Sequence, residues 1–64
     1  MKQARVVIYP KDIQLITGKS ERYGRMLLSK IRRANQKDEH QFITIHEFAS
    51  FTGIPEDTIE PYLK

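Results

Sequence analysis

The sequence predicts a mainly α-helical fold, a helix-turn-helix domain with two pseudo-repeated helix-turn-helix units and room for a short two-stranded sheet. Three observations carry this. Gly24, Leu27, Leu28 and Ile31 recur at i, i+3, i+4 and i+7, which is one face of a helix. Glycines at 18 and 53 stand where helices stop. The chain also repeats itself at an offset of 35: Asp12 to Glu21 lies over Glu47 to Glu56, and Thr17/Thr52, Gly18/Gly53, Glu21/Glu56 and Leu28/Leu63 are identical. Two such copies can bury their faces on each other, which gives a short chain a usable core.

Each element has a local reason. Arg5 to Tyr9 is β-branched and apolar and ends at Pro10, a short strand. Pro10 suits a first helical turn, and Asp12 favours the positive end of the helix dipole. Ile13, Leu15 and Ile16 give this first helix an apolar stripe, and Gly18 ends it. Ser20 is an N-cap for a second helix running over about residues 20–35. Residues 41–44 read as a second strand able to pair with 5–9. Thr44 and Glu47 have capping-box spacing, with Ile43 and Phe48 placed for a hydrophobic staple, so a third helix starts near 45 and stops at Gly53. Pro55 is expected at N1 of a fourth helix, with Glu56 and Asp57 in its first turn; Pro61 keeps it short or kinks it.

Sixty-four residues make one domain, residues 1–64, and leave no cleft between domains to house a sizeable enzyme. The absence of cysteine excludes disulfides and thiolate zinc sites. No run approaches the roughly 18 apolar residues of a membrane span, and the N-terminus lacks the apolar core of a signal peptide. A soluble, cytoplasmic protein is expected.

Charge separates the halves. Residues 1–37 hold ten Lys and Arg against Asp12 and Glu21, a net +8; residues 38–64 hold Lys64 against six acids, a net −5. A basic helix-turn-helix unit over 5–37 therefore precedes an acidic one over 41–64, a split that suits one face turned to a polyanion.

Residues 12–28 carry the chemistry. A short helix, a glycine turn and a longer basic helix make the helix-turn-helix pattern used to enter the DNA major groove. Gly24 supplies the small residue where two helices cross, and Ile13, Ile16, Leu27 and Leu28 lock the pair. The Thr17-Gly18 turn followed by Lys19 and Ser20 resembles the DNA-binding half of small winged-helix and excisionase-like regulators of bacterial mobile elements. The resemblance covers about 20 residues; the glycine-tipped wing of those regulators has no counterpart after residue 34. It implies that Glu21, Arg22 and Arg25 face base edges, arginine as a bidentate donor to guanine and glutamate as an acceptor from cytosine. Lys19, Ser20 and Tyr23 are then placed for phosphates near the helix start, and Lys30, Arg32, Arg33 and Lys37 supply the sequence-independent attraction.

The same arginines could form an ordinary solvated helix face. Against that, Glu21 is the one acid between residues 13 and 37, and soluble helices usually interleave both signs. The helix starting at Pro55 is acidic and would repel phosphate, so the second unit is expected to be structural or to bind protein. His40 and His46 match no zinc spacing, no nucleophile–base arrangement is evident, and three scattered glycines cannot cradle a phosphate; no metal, cofactor or catalytic residue is expected. Phe42, Phe48 and Phe51 are read as core. A membrane-surface role for the basic helix is disfavoured, because its apolar face is aliphatic and is needed inside.

The expected function is binding of double-stranded DNA, as a small transcription regulator or recombination accessory factor. The alternatives are a protein-interaction module docking through the acidic half and a structural RNA-binding domain. A homodimer or protein partner would use Phe51, Tyr62 and Leu63.

Overall fold

The computed structural model describes residues 6–63; Arg5, the first residue of the expected strand, and Lys64 lie outside them. The order is β1 (Val7–Ile8), α1 (Pro10–Thr17), α2 (Glu21–Ala34), β2 (Ile43–Thr44), α3 (Ile45–Thr52), α4 (Glu56–Ile59) and a 3₁₀ turn (Glu60–Tyr62). The fold is mainly helical with one two-stranded antiparallel sheet.

The two halves share a set of local bonds. Asp12 Oδ2 accepts from the Tyr9 backbone N–H at 2.8 Å, and Glu47 Oε1 accepts from that of Thr44 at 2.9 Å. Thr17 Oγ1 donates to the Ile13 carbonyl (2.7 Å) and accepts from the Lys19 N–H (3.1 Å); Thr52 Oγ1 does the same with Phe48 (2.8 Å) and Ile54 (3.2 Å). Gly18 and Gly53 both adopt left-handed backbone, φ 78° and 82°. In the sheet, Ile8 lies opposite Ile43, which is its own counterpart at the offset of 35. An antiparallel pair of equivalent residues places a local two-fold axis between them. The repeat read in the sequence is thus a repeat in structure, and each half pairs the strand that the other cannot pair alone.

The halves diverge after the glycine turns. Ser20 Oγ accepts from the Tyr23 N–H (3.1 Å) and starts a helix of 14 residues. Its counterpart Pro55 is the N-cap and not N1, so this helix starts one residue later than expected: the Pro55 backbone is extended (ψ 146°) and its carbonyl accepts the first helical bonds from Thr58 and Ile59. Pro61 has no N–H to donate and crowds the preceding turn, so α4 ends at Ile59 and tightens into the 3₁₀ turn.

One core joins both halves: Ile8, Ile13, Leu27, Leu28, Ile31, Ile43, Phe48, Ile59 and Leu63 are all buried. Leu63, expected as an exposed contact residue, is 1% exposed; it follows the 3₁₀ turn and joins the core, as does its counterpart Leu28. Phe42 is 58% exposed and Phe51 44% exposed, so neither is core. Strand alternation explains the first, since Ile43 points inward and its neighbour must point out. Ile45, Phe48, Ala49 and Thr52 form the inward stripe of α3, leaving Phe51 at its margin. Leu15 likewise points outward from α1.

Glu47 is the hub of the second half. Its Oε1 accepts from Thr44 and from Lys37 Nζ (2.7 Å). The Lys37 bond, then the Thr44 backbone bond, hold its carboxyl below the ordinary glutamate value. A carboxylate whose pKa is lowered on folding contributes stability that is present above its unfolded value, about pH 4.3, and lost as pH falls through the lower folded value. Urea midpoints of Glu47→Gln should therefore fall less between pH 5 and 3 than those of the parent, and should start lower at pH 7.

Candidate nucleic-acid interface

The site grows from the crossing of α1 and α2. A Cβ built on Gly24 would stand 2.6 Å from the Pro10 carbonyl oxygen, so α2 touches the backbone of α1 where no other residue fits. That contact and the buried row of Leu27, Leu28 and Ile31 fix which side of α2 faces the core. The opposite side carries Arg22, Arg25, Ser29 and Arg33, at steps of three and four residues, all exposed. They span about 16 Å of helix axis.

The expected base-contact residues sit together on the first two turns of this face. Arg22 is exposed and has no hydrogen-bond or ion-pair partner among the described residues. Arg25 Nη1 lies 3.5 Å from Glu21 Oε2, with both side chains largely in solvent. Exposed i, i+4 pairs of this kind contribute only a few tenths of a kcal/mol, so both groups are free to exchange partners. Ser20 spends its acceptor on the N-cap and keeps its hydroxyl proton to donate. Lys19 Nζ lies 5.4 Å from the centroid of the Tyr23 ring, which is half-buried and steers the ammonium beside the start of α2.

The residues assigned to long-range attraction divide. Lys30 and Arg33 are exposed and, among the described residues, unpaired. Lys37 is not a free cation: its ammonium donates to the Phe42 carbonyl (2.6 Å) and to Glu47, and its side chain is 20% exposed. It ties down the loop after α2 and is withdrawn from the phosphate-contact set. Arg32 is half-committed, donating through Nε to the Gln41 carbonyl (2.7 Å) while the rest of its guanidinium remains. Nothing local in the sequence marks these uses, because Lys37 and Glu47 are ten residues apart.

The acidic unit offers no matching face. Glu56 Oε2 lies 3.0 Å from His46 Nδ1, and Asp57 and Glu60 are exposed beside it. Among the described residues no three His, Asp or Glu side chains gather as metal ligands, and no helix is long and apolar enough to cross a membrane. Sequence reasoning missed a groove on the flank of α2, lined by Ile8, Tyr9, Pro10, Arg25, Leu28, Arg32 and Phe42.

No family model, curated protein or solved structure matches this chain.

Proposed function

We propose that the chain binds double-stranded DNA by laying the outward face of α2 in the major groove, as a small transcription regulator or recombination accessory factor inside the cell. The observation that carries this is the stripe of Arg22, Arg25 and Arg33 on the side of α2 opposite the core, flanked by Lys19 and Lys30, with only the loosely held Glu21 among them. A stripe of one sign on a rigid helix is the electrostatic footprint of a nucleic-acid face. The helix is rigid because its N-cap, the Gly24 crossing and the tethers from Arg32 and Lys37 all hold it.

Single helix-turn-helix units bind duplex weakly and usually act in pairs about one helical turn apart. A homodimer or a protein partner would use Phe51 and Tyr62, which are half-exposed. Titration of isotope-labelled protein with a random-sequence duplex should shift amide resonances at residues 19–33 and leave 54–63 in place. Shifts centred on 54–63, or none at all, would refute the assignment; a stronger response to RNA of the same length would make the target RNA.

A further inference from the structure

The groove beside α2 brings aromatic rings and cations together. Its volume is about 340 Å³, at the low end of small-ligand sites. Its apolar lining comes from Ile8, Leu28, Tyr9 and Phe42, and its cations are Arg25 and Arg32. Tyr9 and Phe42 flank the two strands, one step beyond the Ile8–Ile43 pair. Their rings stand edge to face, 6.3 Å apart at 88°, and both are substantially exposed. The edge-to-face contact covers only part of the pair, and Phe42 is 58% exposed, so an incoming planar group is able to lie on its ring. Among the described residues no acidic side chain lines the groove, so charge complementarity favours an anion attached to something flat and apolar.

We propose that this groove takes one unpaired nucleobase, with the adjoining phosphate held by Arg25 and Arg32. The proposal rests on the reading of α2 as a DNA-binding helix and specifies which DNA it prefers. Arg25 belongs both to the outward stripe and to the groove, so a strand leaving the duplex on α2 can enter the groove without a gap. Aromatic side chains that stack on bases pair in this way with backbone-tracking cations in proteins that bind single strands. The chain therefore prefers a duplex interrupted by a bulged nucleotide or a single-stranded tail over a continuous one.

The test is fluorescence anisotropy with three probes: a blunt duplex, the same duplex carrying one bulged 2-aminopurine, and a short oligothymidine. The parent should bind the bulged duplex roughly tenfold more tightly than the blunt one, as loss or gain of one stacked base implies, and should quench the 2-aminopurine. Phe42→Ala, which removes an exposed side chain, should abolish both the preference and the quenching and leave the blunt-duplex affinity within about twofold. Equal affinity for the two duplexes, or a preference that survives in Phe42→Ala, overturns the groove and leaves α2's role intact. Binding of oligothymidine but not of blunt duplex supports the groove and overturns the duplex reading. A chain that binds none of the probes overturns both. An acidic aromatic peptide that binds the parent more tightly than the bulged duplex, and loses affinity in Phe42→Ala, gives the groove to a protein partner and overturns the base assignment.

Discussion

Gly24→Ala should destabilise the chain by about 1–3 kcal/mol, the range for forcing an extra carbon into a packed contact. In an exposed helix the same change would stabilise by up to about 1 kcal/mol, because alanine is the better helix former. The sign reverses here because the new methyl meets backbone: the Pro10 carbonyl at 2.6 Å, with Pro10 Cα and C close behind. No side-chain rotation relieves that clash, so α1 must move off α2. Gly24→Val should leave the chain largely unfolded, since a domain this small has only a few kcal/mol to lose. Gly18→Ala is the informative control. There the space is open but φ is 78°, so the cost is one of backbone conformation, about 1–2 kcal/mol. Asparagine, which tolerates that geometry, should recover part of it at position 18 and none at position 24. Urea unfolding followed by circular dichroism reads all five variants.

Replacing Arg22 and Arg25 together with alanine should weaken duplex binding by about 30-fold or more. Each arginine that meets a base edge bidentately is worth about 1–3 kcal/mol, and the two act from adjacent turns of one exposed face. Neither side chain holds the fold: Arg22 is unpaired among the described residues, and Arg25 has only its distant exposed partner Glu21. Alanine at both positions also favours helix. The double variant should therefore match the parent in thermal midpoint, which separates lost contact from lost structure. Arg32 and Lys37 are unsuitable for such a test, because removing either frees the loop between α2 and β2.

How far the sequence could be read follows from where the interactions lie. Caps, glycine stops and the face of α2 are local, set by residues three or four apart, and all but the start of α4 at Pro55 stand where the spacing puts them. The strand pairing was legible in the apolar runs at 5–9 and 41–44, and the offset of 35, through Leu28, would also have placed Leu63 inside. What was illegible is non-local or against type. α2 ends without a glycine: Gln36 takes the left-handed conformation, φ 57°, and the Gln36 and Lys37 N–H groups bond back to Arg33 and Arg32. Lys37 looked like one more cation on a basic stretch until the fold brought Glu47 within 2.7 Å of it. Phe42 is expected in the core as a strand position facing the interior, but Ile43 takes the inward place and turns Phe42 outward beside Tyr9, and that pairing creates the groove.

The central claim, that the outward side of α2 is an electrostatic surface for duplex DNA, is tested most directly by the salt dependence of binding in the parent and in Arg22→Ala/Arg25→Ala. The exposed cations of this face among the described residues are Lys19, Arg22, Arg25, Lys30 and Arg33, which predicts that log K falls with log salt at a slope of roughly −4 to −5. The double variant should bind more weakly with a slope shallower by about one to two. A parent whose affinity ignores salt, or a double variant with the parent's slope and affinity, would contradict it.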